Sequence, residues 1–196
     1  MTVINNALFQ QFEAIVGSPH ALHQDELVAS YTTDWTGRFQ GSTPLVLRPG
    51  TTEEVAAIVR VASDAEIALV PQGGNTGLVG GSVPLRGEVV LSLLRLNACE
   101  PVDILAQQVT LEAGVTLAQA QSHVSPFDLA VGVDLAARDS CTIGGMIATN
   151  AGGINVLRYG SMRDQLLGVE AVMADGSVIS HLEAVSYTHL TLPTKA

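Results

Sequence analysis

The fold of this chain is decided by the stretch Pro71-Gln72-Gly73-Gly74-Asn75-Thr76-Gly77-Leu78-Val79-Gly80-Gly81-Ser82, in which five of twelve residues are glycine. We call it the first glycine stretch. It follows an apolar run, residues 67–70, that predicts a buried strand. Because glycine lacks a Cβ, several main-chain N–H groups of such a turn can point at one anion, and Asn75, Thr76 and Ser82 add polar side chains. The pattern favours a phosphate-binding loop over a loop that merely bends.

The first glycine stretch matches neither of two common phosphate-binding motifs. No Gly-Lys-Ser or Gly-Lys-Thr follows it, as a Walker loop requires, and Gly74, Gly77 and Gly80 are evenly spaced instead of forming G-x-G-x-x-G. Pro84 follows closely, so no helix is expected to begin there. The sequence therefore predicts a phosphate loop of another type.

A β-α-β unit leads into this stretch. Residues 44–48 read as a strand, Thr51 and Glu54 form a candidate capping box, and apolar residues at helical spacing follow up to Ala62. Such a crossover joins parallel strands, so the first glycine stretch is expected at a carboxyl strand end, where open α/β sheets bind ligands.

A second glycine stretch, residues 140–153, is dominated by small side chains: Ser140-Cys-Thr-Ile-Gly-Gly-Met-Ile-Ala-Thr-Asn-Ala-Gly-Gly153. Small residues let a flat ligand lie close to the main chain, and a helix that begins near Gly144 would offer free N–H groups. A tightly packed helix end is the alternative, and the pattern alone leaves both open.

Elsewhere the periodicity predicts a helix over residues 3–16 that stops at Gly17, and a second helix over residues 116–124. Residues 31–41, which we call the connector, carry Trp35 and Phe39, interpreted as packing anchors in preference to ligand contacts. Short paired strands are expected at 103–105 and 108–112, an extended segment at 127–133, and a β-hairpin around Asp175-Gly176 with a two-residue turn. The order predicts an α+β fold with a small β-α-β lobe and a larger mixed or antiparallel lobe.

The composition narrows the function classes. The chain has 196 residues, of which 47% are hydrophobic, and 19 acidic against 9 basic residues give a net charge of −10. This balance argues against a nucleic-acid groove and an anionic membrane surface as partners. Cys99 and Cys141 predict free thiols in a reducing compartment, and no Cys/His spacing indicates a metal. No signal-peptide pattern or membrane-length apolar run is seen, so we expect a cytoplasmic protein.

Together these motifs resemble the FAD-binding domain of vanillyl-alcohol-oxidase-type flavoproteins, the PCMH type. The branch that the sequence resembles contains the FAD-linked D-lactate, D-2-hydroxyglutarate and glycolate dehydrogenases. The resemblance covers about residues 20–180 and rests on the two glycine stretches together with Arg158-Tyr-Gly160 and Ala174-Asp-Gly176. It implies that the first stretch binds the FAD pyrophosphate and that residues 134–153 run along the ribityl chain and the flavin.

The resemblance implies a set of cofactor-binding residues drawn from both stretches. They are Pro71, Gln72, Gly73, Gly74, Asn75, Thr76, Gly77, Leu78, Gly80, Gly81, Ser82, Asp134, Leu135, Ala136, Ser140, Cys141, Gly144, Gly145, Ala148, Asn150, Ala151, Gly152 and Gly153. Relatives with covalent flavin often carry Gly-Gly-His in the first loop. Asn75 stands at the matching position and cannot form a histidyl link, so the expected FAD is non-covalent.

The resemblance further implies hydride transfer from a D-2-hydroxy acid to flavin and then electron transfer to an acceptor. Family members continue for a few hundred residues, and their base and metal ligands lie in that later part, so no catalytic residue is assigned here. Two roles remain open for Arg158: its side chain could neutralise negative charge on the flavin, or it could form an ordinary salt bridge. A non-catalytic flavin-binding fragment and another PCMH-type oxidase or reductase are the alternatives.

The expected domain organisation has three parts. Residues 1–40 form an N-terminal helix and connector, and residues 41–185 form a truncated FAD-binding domain. Residues 186–196 match neither the family nor a helical or strand period, which favours a non-native tail over a genuine variable one. His189, which lies in that tail, is therefore a poor catalytic candidate.

Overall fold

A computed structural model describes residues 4–182 of the chain. The expected boundary at residue 185 and the expected tail lie outside the described residues. Across residues 4–182, no helix is both long and apolar enough to cross a bilayer.

The described residues form seven α-helices and six strands. The helices are α1 (Asn6–Val16), α2 (Asp25–Val28), α3 (Thr52–Asp64), α4 (Leu117–Val124), α5 (Ile143–Thr149), α6 (Val156–Tyr159) and α7 (Met162–Gln165). The strands are β1 (Ala21–Leu22), β2 (Val46–Leu47), β3 (Leu69–Gln72), β4 (Val89–Ser92), β5 (Val169–Val172) and β6 (Val178–His181). The predicted α+β fold class is confirmed.

The first lobe contains a four-stranded sheet in the order β1-β2-β4-β3. The strands β2, β4 and β3 are parallel, and β1 adds an antiparallel edge. The predicted β-α-β unit is present, with β4 inserted between its two strands. Phe12 of α1 and Ile58 of α3 are fully buried in the core that covers this sheet, together with Leu47 and Val89 of the sheet itself.

The helix α1 ends at the predicted residue but begins three residues later than the predicted residue 3, and α3 begins after its predicted cap. The Asn5 side chain caps α1 by accepting a hydrogen bond from the main-chain N–H of Leu8 at 2.9 Å, and α1 stops at Gly17 with φ of +81°. The Thr51 hydroxyl caps α3 by accepting from the N–H of Glu54 at 3.2 Å. The Glu54 carboxylate accepts from the N–H of Gly50 at 2.7 Å, one residue before the expected capping-box partner.

The second lobe has its own core, which contains Val115, Leu117, Val133 and Met146. The predicted helix over residues 116–124 is confirmed as α4, with a complete capping box between Thr116 and Gln119. The expected strand pair at 103–112 is reduced to isolated bridges, Asp103 with Gln108 and Cys99 with Leu111. The segment expected to be extended at 127–133 begins in a 3₁₀ turn, Ser125–Phe127, followed by Asp128 at a φ of +57°.

The predicted hairpin is confirmed as β5 and β6, but its turn differs from the expected two-residue type. A type I′ turn needs positive φ at both central residues, whereas only Gly176 has one, at +77°. The N–H of Gly176 donates to the carbonyl of Met173 at 2.9 Å, which makes a longer loop. The hairpin docks on α3, where an Arg60 guanidinium N–H donates to the Gly176 carbonyl at 2.9 Å.

Candidate cofactor-binding site

The first glycine stretch leaves β3 at the carboxyl end of the parallel strands, as predicted. None of the ten main-chain N–H groups of residues 73–82 donates to an acceptor within residues 4–182. Residues 77–79 and Gly81 are exposed, and of the other six residues only Gly80 is buried, so the loop is open to solvent along much of its length. A run of unpaired donors at a strand end is suited to binding an anion.

Gln72 holds the base of this loop together. Its side chain is 3% exposed, and its Nε2 donates to the carbonyl of Tyr31 at 3.0 Å and to the carbonyl of Ser82 at 2.7 Å. The two ends of the first glycine stretch are thereby joined through one amide. Among the predicted cofactor-binding residues, Gln72 thus serves as a brace for the loop.

Asn75 and Ser82 also stabilise the loop from within. Asn75 has a φ of +51°, a conformation that Asn tolerates better than most residues, and its Nδ2 donates to the carbonyl of Thr33 at 2.8 Å. The Ser82 hydroxyl donates to Asn75 Oδ1 at 2.7 Å. The sequence favoured these side chains as ligand donors, but the structure engages them in protein contacts. A glycine-rich loop keeps one shape only when side chains such as these fix it.

The connector forms the outer support of the first glycine stretch. Gly80 has a φ of +69°, and a Cβ placed there would lie 2.6 Å from the ring of Phe39. Phe39 is therefore a packing anchor, as predicted. Trp35 is not, because its side chain is 66% exposed. Sequence reasoning missed this supporting role of the connector, since its contacts with Gln72 and Asn75 use carbonyl groups that no sequence pattern reveals.

The two glycine stretches meet directly. A Cβ on Gly73 would overlap the Thr142 hydroxyl, and a Cβ on Gly74 would overlap the carbonyl oxygen of Ser140. These two glycines are therefore required by the close approach between the stretches. Two stretches that are distant in the chain thus form one continuous surface, which is the arrangement that a single ligand spanning both would need.

The second glycine stretch contains the helix α5, which begins at Ile143, next to the helix start near Gly144 that the sequence suggested. The Thr142 hydroxyl caps it by accepting from the N–H of Gly145 at 3.3 Å. The helix ends at Asn150, whose φ is +47° and whose Oδ1 accepts from the N–H of Arg163 at 2.9 Å. Gly145 and Ala148 are exposed, so α5 presents small residues to solvent, and Asn150 just after the helix is exposed as well.

Asp134 and Gly153 bring the two ends of the second region together. A Cβ on Gly153 would overlap the main chain of Asp134, and the N–H of Ile154 donates to the Asp134 carbonyl at 2.9 Å. The Asp134 carboxylate pairs with Arg138 at 2.8 Å. The Asp134 side chain is thus engaged in a salt bridge, and its main chain supports Gly153.

Several predicted site residues face the protein interior. Cys141 is 5% exposed, its Sγ lies 3.7 Å from the sulfur of Met146, and burial raises the pKa of its thiol. Gly144 packs on Ala113, to whose carbonyl its N–H donates at 2.9 Å. Leu135 packs against the core of the second lobe. These three residues therefore pack on the interior side of the candidate site.

The remaining predicted residues lie on the open side of the two stretches. Pro71, Gly77, Leu78, Gly81, Ala136 and Gly152 are exposed, and Thr76 and Ala151 are half-buried. For Gly77 and Gly81, a Cβ would meet no atom within 4 Å, and neither has a positive φ. The protein itself therefore gives no steric reason for glycine at these two positions, whereas a ligand lying against the loop would.

A separate apolar cleft of about 950 Å³ lies between α3, α5 and the hairpin. Its walls include Val55, Val59, Leu91, Ile147 and Val172. Of the predicted site residues, only Pro71, Gly144 and Ala148 reach it. Its apolar lining lacks the anion-binding donors of the first glycine stretch, so the candidate site is the surface that the two stretches share.

Arg158 does not form the ordinary salt bridge that the sequence left open for it. Its guanidinium lies 4.9 Å from the ring centroid of the neighbouring Tyr159, and it pairs with no carboxylate within residues 4–182. Both side chains are exposed. Arg158 thus makes a local cation–π contact on the surface of α6.

Residues 43–181 match the FAD binding domain family. The chain is 40% identical over 181 residues to the probable mitochondrial D-2-hydroxyglutarate dehydrogenase of Oryza sativa subsp. indica, covering 92% of this chain and 32% of the relative. It is 44% identical over 157 residues to the mitochondrial D-2-hydroxyglutarate dehydrogenase of Danio rerio, covering 80% and 30%. The chain spans about a third of the length of these curated relatives.

Solved structures with the same fold are found at lower identity. An alkyldihydroxyacetonephosphate synthase superposes with a TM-score of 0.82 at 18% identity, covering 92% of this chain and 36% of that protein. A p-cresol methylhydroxylase superposes with a TM-score of 0.72 at 21% identity, covering 89% and 34%. The chain belongs to the FAD binding domain family, and its fold is that of the PCMH-type flavoproteins.

Proposed function

We propose that this chain binds FAD non-covalently across its two glycine stretches, as the cofactor-binding part of an FAD-dependent oxidoreductase. The observation that carries the proposal is the direct meeting of Gly73 and Gly74 with Thr142 and Ser140, beside ten N–H groups that find no acceptor among residues 4–182. The first stretch would hold the pyrophosphate through main-chain donors. The small exposed residues of α5 would lie along the flavin.

The protein atoms present fit this cofactor. The anion-binding capacity comes from main-chain N–H groups, so a net charge of −10 does not oppose it locally. Gly77 and Gly81 leave the loop surface free of side chains where a diphosphate would lie. The family resemblance matches Asn75 to a position at which relatives with covalent flavin often have histidine, and the Asn75 side chain is already hydrogen-bonded to Thr33 and Ser82. A dissociable cofactor is consistent with both facts.

We further propose that the reaction is the oxidation of a D-2-hydroxy acid such as D-lactate, D-2-hydroxyglutarate or glycolate. The support is the 40–44% identity to proteins named D-2-hydroxyglutarate dehydrogenase. When bound, flavin accepts a hydride in this chemistry and passes electrons onward. The residues of this chain would orient and bury the cofactor. The family resemblance implies that the base and metal ligands lie in the part of the relatives that this chain does not match.

The spectrum of the purified protein tests the proposal. After reconstitution with FAD and gel filtration, we expect the protein fraction to carry flavin absorption in a ratio near one flavin per chain. Denaturation in acid should then release all of the yellow colour into the supernatant, because Asn75 forms no covalent link. A colourless protein fraction would overturn FAD binding, and flavin retained in the precipitate would overturn the non-covalent assignment.

A second candidate function is flavin binding without turnover. The family resemblance implies that the base and metal ligands lie in a part of the relatives that these residues do not match, and the chain spans about a third of the length of those relatives. Adding D-2-hydroxyglutarate or D-lactate to the reconstituted protein in the absence of oxygen discriminates the two. Bleaching of the flavin would show that this chain catalyses the oxidation, and an unchanged spectrum favours the non-catalytic alternative. If the protein is another PCMH-type oxidase or reductase, its flavin would instead be bleached by a substrate of a different chemical class.

The domain organisation and compartment are also proposals. We propose that residues 41–185 are the FAD-binding unit and that residues 1–40 are a supporting segment, which contacts that unit through the connector. The free thiols of Cys99 and Cys141 favour a reducing compartment. The cytoplasm is the one that we propose, although the named relatives are mitochondrial. Fractionation of cells expressing the full-length protein would test this.

A further inference from the structure

The hairpin of β5 and β6 is joined to one lobe and docked on the other. Only residues 166–168 separate it from α7, a helix that packs into the core of the second lobe. On α3 of the first lobe, an Arg60 guanidinium N–H donates to the carbonyl of Gly176 at 2.9 Å. The Thr52 hydroxyl, also on α3, donates to the Glu170 carboxylate at 2.8 Å. The hairpin thus links the two lobes through residues that belong to neither glycine stretch.

The hairpin depends on its contact with α3. A two-stranded hairpin alone is only marginally stable in water, and all four residues of β6 and the first two of β5 are exposed. The turn residue Gly176 is buried against α3, because a Cβ there would overlap the Cγ atom of Arg60 and would press on the carbonyl oxygen of Ala56. The hairpin is therefore an element with two states, docked and paired or undocked and frayed, and the Arg60 contact stabilises the first.

The elements on either side of the hairpin lead directly to the two glycine stretches. The N–H of Met162, at the start of α7, donates to the carbonyl of Ala151 at 2.9 Å. The N–H of Arg163 donates to Oδ1 of Asn150 at 2.9 Å, so α7 is bonded to the end of the second glycine stretch. On the other side, α3 continues through residues 65–68 into β3, from which the first glycine stretch leaves. The contact between the two stretches closes this series of elements.

The inference drawn from this arrangement rests on the proposed FAD binding. A cofactor that spans both glycine stretches needs them in a fixed relative position, and the apolar cleft of about 950 Å³ between α3, α5 and the hairpin interrupts the packing between the lobes. We propose that Arg60 is a positioning residue for FAD: by docking the hairpin on α3, it holds the second glycine stretch against the first. Because coupling between two sites is reciprocal, bound FAD stabilises the docked hairpin by the same factor.

Variants of Arg60 test the proposal by FAD titration and hydrogen–deuterium exchange. We expect Arg60→Ala to bind FAD about fivefold more weakly, the lower end of the range for coupled sites. In the flavin-free protein, the same variant should exchange faster than the wild type in residues 169–181 and equally fast in α1. Arg60→Lys keeps a donor on a long stem and should recover most of the affinity. In the wild type, FAD should slow the exchange of residues 169–181.

The matched control is Asp175→Asn, which alters the same turn, where Asp175 accepts from Ser177, but none of the hydrogen bonds to α3. It should retain the affinity for FAD. The inference is overturned if Arg60→Ala binds FAD as the wild type does, if it binds FAD more weakly without faster exchange in residues 169–181, or if Asp175→Asn loses as much affinity. It is also overturned if FAD leaves the exchange of the wild-type hairpin unchanged. FAD binding itself would stand in all these cases, whereas failure of the wild type to bind FAD would remove the proposed function and this inference together.

Discussion

At the scale of single residues, glycines in the first stretch serve two different purposes. Gly74 is required by packing, because a Cβ would overlap the carbonyl oxygen of Ser140. Gly77 is not, because a Cβ there would meet no protein atom within 4 Å. A methyl group added at Gly74 should therefore affect folding, whereas a methyl group added at Gly77 should affect only the binding of a ligand.

Gly77→Ala and Gly74→Ala form a matched pair that tests this separation. We expect Gly77→Ala to fold with an unchanged melting temperature but to bind FAD about tenfold more weakly, since a methyl group would intrude on the diphosphate. We expect Gly74→Ala to be destabilised by about 1–3 kcal/mol through overpacking. Thermal unfolding and FAD titration of both variants check this.

Two results would contradict the expectations for Gly77→Ala and Gly74→Ala. If Gly77→Ala binds FAD as the wild type does, the open side of the first glycine stretch does not contact the cofactor. If Gly74→Ala is as stable as the wild type, the two stretches do not approach as closely as the structure shows.

At the scale of elements, the connector decides the shape of the first glycine stretch. Asp34 is 4% exposed and organises the connector by accepting from Thr36 and Phe39. The hydrogen bond from the Thr36 hydroxyl is the main cause that lowers the pKa of Asp34 below its ordinary value of 3.8. The ionised carboxylate is therefore the form that stabilises the connector.

Asp34→Asn should lower both stability and FAD affinity, because the amide NH₂ cannot accept the hydrogen bonds of the carboxylate. A depressed pKa means that the contribution of Asp34 is fully present above pH 3.8 and is lost as the pH falls through the lower folded value. Denaturant unfolding from pH 7 to pH 3 should show a constant difference between wild type and variant that narrows only at the acidic end.

Asp175→Asn is the control for that experiment. Asp175 also has a lowered pKa, caused by the Ser177 hydroxyl and N–H, but it lies in the hairpin turn, outside the connector. We expect Asp175→Asn to lose stability with the same pH profile and to retain FAD affinity. Equal loss of FAD affinity in both variants would show that the connector has no specific role.

The elements were predictable to the extent that local patterns determine them. The caps at Thr51 and Thr116 and the hairpin at Gly176 follow from short-range chemistry that the sequence displays, whereas the start of α1 was placed too early because the cap at Asn5 was missed. The connector contacts were not predictable, because Tyr31 and Thr33 act through main-chain carbonyls that any residue has. The strand pair near residue 105 was overestimated, since apolar alternation does not by itself supply a partner strand.

At the scale of the whole molecule, two lobes with separate cores meet along the glycine stretches. The first core lies between α1, α3 and the four-stranded sheet, and the second surrounds α4 and α5. The hairpin adds a further link through Arg60 and through the Thr52 hydroxyl, which donates to Glu170 at 2.8 Å. The motifs identified both stretches in the sequence, but their contact depends on long-range packing and became visible only in the fold.

Hydrogen–deuterium exchange with and without FAD is the most direct test of whether both stretches bind one cofactor. The ten N–H groups of residues 73–82 have no acceptor within the described chain, so they should exchange rapidly in the flavin-free protein. On addition of FAD we expect peptides from residues 73–82 and from residues 134–153 to become protected together, at the same FAD concentration. Protection of only one stretch, or of neither, would contradict the claim that both bind a single FAD.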